Sequence, residues 1–236
     1  MSSLAAVAQL LLPAECLLCH ALLSDRESAR LVCSVCRQRW RPVRSPWCER
    51  CGQPEPHFGP CRLCTEWPAA LRSVRSAVWL SEGAQQAVYA LKYGGLPRIA
   101  DDLATAMPDV RPHSDGPSAL IPIPLASRRL RERGYNQSEA LARALARKWR
   151  IPVLPDLLVR TRETATQTAL TPDTRLANVA GAFAVAKPQT WPVLILVDDV
   201  FTTGATLAEA ARALEQAGAT TIHAITFARA AIPDFI

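Results

Sequence analysis

Asp198 and Asp199 are followed, after two intervening residues, by Thr202-Thr203-Gly204-Ala205-Thr206. Two adjacent carboxylates can accept hydrogen bonds from a vicinal diol or hold a hydrated Mg²⁺. The threonine hydroxyls add donors, and glycine lets a backbone approach its ligand closely. If a helix starts at this loop, its first N–H groups are unpaired and carry the positive end of the helix dipole, so an anion fits there. An anion site beside a polyol site describes a ribose 5-phosphate group. The competing reading is an ordinary strand-to-helix turn whose loop only caps the helix.

The flanking residues supply the elements such a site needs. Val193-Leu194-Ile195-Leu196-Val197 is a short, continuous apolar run rich in β-branched residues. That pattern predicts a strand buried on both faces, as in a parallel sheet, with the acids where the strand emerges. After the loop, Leu207, Ala210, Ala211, Leu214 and Ala217 share one helical stripe. Thr220 to Ala228 predicts a further strand, so the fold class is α/β, a parallel sheet flanked by helices.

A second chemistry lies in the first quarter of the chain. All eight cysteines form four C-x-x-C pairs: Cys16/Cys19, Cys33/Cys36, Cys48/Cys51 and Cys61/Cys64. A pair at this spacing grips one tetrahedral metal from a tight turn, and two pairs complete a structural Zn²⁺ site. The simplest assignment gives one zinc to the first four cysteines and a second to the last four. A cross-braced pairing stays open, as does iron–sulfur binding, although the closely packed ferredoxin run is absent. Disulfides need an oxidising compartment, and no export signal is visible. His20 and His57 are read as surface residues. Arg37, Arg39, Arg41 and Arg44 near Trp40 and Trp47 fit either a solvated basic face with two anchoring tryptophans or a grip on single-stranded nucleic acid. A module this small depends on its metal for folding.

Composition bounds the remainder. The 236 residues are 49% hydrophobic and 20% charged, which excludes a disordered chain. A net charge of +6 makes anionic partners plausible, from phosphates to single-stranded nucleic acid. No apolar stretch reaches the roughly 20 residues of a membrane helix. Leu4 to Leu12 is apolar but lacks a preceding Lys or Arg and is stopped by Pro13, so it reads as a short docking helix in a cytoplasmic protein. The expected organisation is a cysteine module over residues 1–68, a linker over 68–73, and an α/β domain over 74–236.

Within the α/β domain, Val74 to Leu80 predicts a strand, and Gly83 to Tyr93 and Pro97 to Met107 predict helices. By its position Lys92 complements its helix C-terminus. Ser118 to Pro124 predicts a short buried strand. Arg128, Arg129, Arg131 and Arg133 then cluster in what reads as a loop at the strand's carboxyl end, placed to meet a pyrophosphate. A helix begins near Asn136, where Asn136 and Gln137 either cap it or touch ligand. Arg143, Arg147, Lys148 and Arg150 read as its solvated face. Residues 157–185 show no sustained period and predict a long loop of lid type, in which Gln167, Arg175 and Asn178 are the residues to watch.

The string from Val193 through Thr206 resembles the phosphoribosyl-pyrophosphate (PRPP) signature of type I phosphoribosyltransferases, without gap or departure. The I-P-I-P…R-R-x-R-x-R-G-Y-N-Q string of residues 121–137, the L-K-Y element at Lys92, and the Q-x-x-L-x-x-x-x-R-x-x-N-V-x-G-A-F spacing from Gln167 to Phe183 narrow the resemblance to the ComF/GntX family, over nearly the whole chain. The resemblance implies that Asp198 and Asp199 face the ribose hydroxyls as the catalytic acids, and offers for Lys92 a place facing the active site as the alternative to its helix-end role. It implies that Thr202, Thr203, Gly204, Ala205 and Thr206 wrap the 5-phosphate, and that the four arginines form the pyrophosphate loop. Mg²⁺ accompanies PRPP, and the cysteines hold one or two structural zincs. It further implies a phosphoribosyltransferase associated with DNA uptake or natural transformation, with uptake-machinery proteins as partners. The alternative is a non-enzymatic adaptor for single-stranded DNA that retains the pocket.

Overall fold

The computed structural model describes residues 14–54, 61–112, 116–162 and 179–231. The expected N-terminal helix, His57, and the lid residues Gln167, Arg175 and Asn178 lie outside the described residues.

Four parallel strands form the central sheet: β1 (Leu71–Trp79), β2 (Ser118–Pro122), β5 (Val193–Phe201) and β6 (Ile222–Arg229), in the order β1-β6-β5-β2. Val193 to Val197 are fully buried, as a strand covered on both faces requires. Their side chains alternate between two cores. Val193, Ile195 and Val197 join one, and Leu194 and Leu196 the other. β1 begins at Leu71, inside the stretch read as linker. β5 runs on to Phe201, so the acidic pair sits within the strand instead of beyond it.

The helices are α1 (Ser34–Gln38), α2 (Glu82–Tyr93), α3 (Ile99–Ala106), α4 (Ser127–Arg133), α5 (Gln137–Trp149) and α6 (Ala205–Gln216). α5 starts where expected because Asn136 is its N-cap, its side-chain oxygen accepting from the Ser138 amide at 3.0 Å. α4 was unexpected: the arginine run is helical and is stopped by Gly134 at φ 81°. The solvated-face reading of α5 holds for Arg143, which pairs with Glu139 one turn away. It fails for Lys148, which donates to the Ala104 and Met107 carbonyls at the end of α3, and Arg147 reaches Asp101.

The long segment 157–185 is pinned at both ends. β3 (Leu158–Arg160) and β4 (Phe183–Val185) pair antiparallel, an element that three-residue apolar tracts do not announce in sequence.

The cysteine-bearing chain packs on the sheet. It flanks the β1 edge, where Val43 and Trp79 exchange bonds with Ala77 and Arg41. Cys16, Cys33 and Cys36 join the core on one face, and Cys51 and Cys64 the core on the other. The buried Asp102 carboxylate accepts from the Leu31 and Val32 amides and from Arg30. Trp40 is an anchor, edge-on to Phe227 at 5.0 Å, and Arg75 lies over Trp47. Trp40 is therefore not free to stack on a base, Arg37 is paired with Glu27 and Asp102, and Arg39, Arg41 and Arg44 stay exposed. Among the described residues no helix is long and apolar enough to cross a membrane.

Candidate active site and metal centres

The acidic pair gathers side chains from two helices. Asp199 is buried, and its Oδ2 meets Lys92 Nζ at 2.5 Å. Its Oδ1 accepts from Gln137 Nε2 at 3.2 Å. Asp198 accepts from Ser138 Oγ at 2.8 Å and from the Asp199 amide at 2.9 Å. Lys92 thus faces the acids, and its presence at the helix end is no mere dipole effect. Gln137 touches the acids, whereas Asn136 caps. Ser138 was not foreseen, because a serine in the first turn of a helix carries no sequence signal of its partner.

The two acids differ in charge. Burial pushes both carboxyls up, but the Lys92 ammonium and the bonds from Lys92 and Gln137 outweigh it at Asp199, which stays below the usual range. Among the described residues no ion pair holds Asp198. Burial and then the Asp199 charge push it up to about 7, against the bonds from Ser138 and the Asp199 amide. Burial works against the Lys92 ammonium too, yet Asp199 and Asp198 raise it above its ordinary value.

One consequence is measurable. Between about pH 4 and pH 7 folded Asp198 keeps a proton that the unfolded chain has released, so its contribution to stability is lost as pH rises through that window. Asp198→Asn cannot ionise. Its melting temperature relative to wild type should climb from pH 5 to pH 8, by about 2–4 °C per kcal/mol relieved. A flat difference across that range would remove the assignment.

The phosphate loop follows β5. Gly204 is the N-cap of α6 at φ 80°, and its carbonyl accepts the first helical bond from the Ala208 amide at 2.8 Å. A side chain at Gly204 would collide with the Trp67 and Phe201 rings, so the glycine is required by packing as well as by φ. Thr202, Thr203 and Thr206 stay half-exposed around it, with Ala205 buried beneath.

Of the four arginines, Arg133 meets a side chain that bonds the acids. It bonds Gln137, and its guanidinium lies 5.2 Å from the Tyr93 ring. Tyr135 bonds the Leu91 carbonyl, which ties this turn to the end of α2. Arg128 pairs with Glu132 on the exposed side of α4, while Arg129 is half-buried and Arg131 exposed.

Both cysteine clusters assemble in chain order, Cys16/Cys19/Cys33/Cys36 and Cys48/Cys51/Cys61/Cys64, which excludes cross-bracing. Within each cluster all sulfurs lie within 4.8 Å of one another. A tetrahedral zinc with bonds of about 2.3 Å sets its sulfurs about 3.8 Å apart. The observed Cys19–Cys33, Cys48–Cys64 and Cys51–Cys61 separations are 3.7, 3.8 and 3.5 Å. Burial and neighbouring sulfurs push the Cys36, Cys51 and Cys64 thiols up, Cys64 to about 12. Hydrogen bonds from backbone and neighbouring thiols instead lower Cys16, to about 7, and Cys48, so the thiols of a cluster ionise unequally until a divalent metal favours the thiolate at each. The donor sets therefore fit structural zinc. His20 is exposed and belongs to neither cluster.

The parallel sheet, the acid pair ahead of a helix-capping loop, and the two tetracysteine clusters define the class: a phosphoribosyltransferase-type α/β fold joined to a double zinc ribbon. Residues 7–65 match the double zinc ribbon domain and residues 136–233 the phosphoribosyl transferase domain. The chain belongs to the ComF family of such proteins. It is 33% identical over 221 residues to the DNA utilization protein YhgH of Salmonella typhimurium, covering 91% of this chain and 96% of that one. It is 31% identical over 199 residues to YhgH of Shigella flexneri, covering 81% and 87%. Competence protein ComFC of Bacillus subtilis is 29% identical over 238 residues, covering 91% and 94%.

Proposed function

We propose that the protein binds PRPP with Mg²⁺ between the Asp198/Asp199 pair and the Thr202–Thr206 loop, and acts as a phosphoribosyltransferase in the use of external DNA. The observation that carries this reading is the asymmetry of the acid pair. Asp199 is paired with Lys92, while among the described residues no ion pair holds Asp198, which stands beside a helix-capping loop of partly buried threonines. A diol or a hydrated Mg²⁺ at Asp198, next to a phosphate on the loop, fulfils both needs. Arg129, Arg131 and Arg133 are the side chains offered to a pyrophosphate, whose charge Mg²⁺ neutralises when bound. The protein's own work is to hold phosphate, diol and leaving group in line and to keep water out. The relatives named for competence and DNA utilization support a place in DNA uptake, alongside uptake-machinery partners.

Calorimetry of PRPP·Mg²⁺ binding tests this directly. Micromolar affinity (about −8 kcal/mol) in wild type should fall at least a hundredfold in Asp198→Ala/Asp199→Ala. A folded, zinc-loaded wild type that takes up no PRPP would remove the reading.

One observation favours a second reading, a single-stranded DNA adaptor. Tyr89 and Tyr93 are each about two-thirds exposed, with ring centroids 4.9 Å apart, and the Arg133 guanidinium lies over Tyr93. Exposed rings beside a basic helix suit base stacking and phosphate contact, worth about 1–3 kcal/mol per stacked base. Tyr89→Ala/Tyr93→Ala should weaken single-stranded DNA binding at low salt by at least tenfold, and Asp198→Ala/Asp199→Ala should leave it intact. If wild type does not bind at low salt, the adaptor reading is dead.

A further inference from the structure

Arg229 closes β6 and is the largest fully buried side chain in the described structure. Among the described residues no carboxylate pairs with it. Nη1 donates to the Cys51 carbonyl at 2.9 Å, and Nη2 to Gln53 Oε1 at 2.7 Å. The guanidinium carbon lies 4.1 Å from the centre of the Phe201 ring. A buried cation without countercharge is costly. Four thiolates around one divalent metal leave an excess of about two negative charges. Among the described residues the second cysteine cluster is therefore the group beside Arg229 whose loaded form offsets its charge.

The same cluster reaches the phosphate loop by a second route. Trp67 follows Cys64 by one turn, its amide bonded to the Cys64 carbonyl at 3.3 Å. Arg50, between Cys48 and Cys51, holds this turn by donating to the carbonyls of Cys64, Trp67, Pro68 and Leu71. The Trp67 ring lies edge-on to Phe201 at 6.2 Å and fills the space where a Gly204 side chain would go. Phe201, the last residue of β5, is thus clamped between Arg229 and Trp67, immediately before Thr202.

We propose that metal in the Cys48/Cys51/Cys61/Cys64 site sets the shape of the Thr202–Thr206 loop, with Arg229 as the counter-charge of its thiolates and, with Trp67, a positioning residue acting through Phe201. The meaning of the loop as a phosphate site rests on the PRPP reading, but the coupling itself does not. The first cluster lies in the core on the opposite face and has no such contact, which makes it an internal control.

The test reads loop order and metal retention in the full chain. In Arg229→Met, amide hydrogen exchange over Thr202–Leu207 should quicken about tenfold while exchange in α5 stays unchanged. A zinc-selective chelator should strip one of the two zincs about tenfold faster and the other at the wild-type rate. Arg229→Lys, which keeps the charge, should recover most of both effects. Wild-type exchange and release in folded Arg229→Met would overturn the proposal. Should Arg229→Met not fold, Trp67→Leu decides it: two zincs retained with a faster-exchanging loop supports the coupling, and an unchanged loop overturns it. Ribose 5-phosphate binding to wild type is measured alongside. Its absence would count against the PRPP reading, while exchange and metal release still decide the coupling.

Discussion

Gly204→Ala should destabilise the fold by about 3 kcal/mol and abolish ligand binding at the loop. Two costs add. An alanine at φ 80° costs about 1 kcal/mol in the left-handed region. The new methyl would also lie 2.9 Å from Phe201 Cε2 and closer still to the Trp67 ring. Neither ring has room to retreat, because both are buried in one core with Leu207 and Ala208. Overpacking of this kind costs about 1–3 kcal/mol more. The expected fall in melting temperature is about 6–12 °C. Gly134→Ala separates the terms. It has the same φ sign, at 81°, but no atom within 4 Å of the added carbon, so it should lose only about 1 kcal/mol. Equal losses at the two positions would show that strain alone matters and that the Trp67 contact does not.

Lys92→Met is the other large effect, and it should depend on pH. Breaking a buried pair leaves an uncompensated charge at a cost of about 3–5 kcal/mol, here toward the lower end because the Lys92 side chain keeps 27% of its surface. In wild type the Asp199 carboxyl is held below its ordinary value, so its contribution is present above the usual carboxylate range and lost as pH falls through the depressed value. Without Lys92, burial and Asp198 raise that carboxyl instead, and its stability is lost as pH rises. Both signs narrow the gap between variant and wild type in acid. The destabilisation should be greatest at pH 8 and small at pH 5, measured by urea unfolding. Asp199→Asn added to Lys92→Met should restore much of the loss, since it removes the orphaned charge. A gap constant with pH would mean that Lys92 acts through packing alone.

The apolar run Val193–Val197 announced a doubly covered strand because a parallel strand needs no partner to look like one. Its composition alone meets two cores. Asn136 at the start of a helix and the four C-x-x-C pairs were equally legible, since each is decided within a few residues by backbone geometry or by the bite of a turn on a metal. The cysteine pairing was the simplest one available, and the sulfur geometry selected it over cross-bracing. The helical state of Arg128–Arg133 was missed because a basic run reads as a solvated loop until its neighbours are known. The β3–β4 ladder was missed because three residues carry no period.

What the sequence determined by itself was therefore the inventory: an acid pair, a phosphate-type loop, two metal-binding clusters and a parallel α/β frame. The tertiary structure alone decided which charges meet. Lys92, Gln137 and Ser138 reach the acids only because α2 and α5 both end or begin at the carboxyl edge of β5. Arg229 reaches the second cluster only because β6 lies beside β1, whose edge the cysteine-bearing chain flanks. Such contacts join residues far apart in the chain, so no local period or propensity encodes them. They follow from strand order, and strand order follows from burying both faces of the sheet at once.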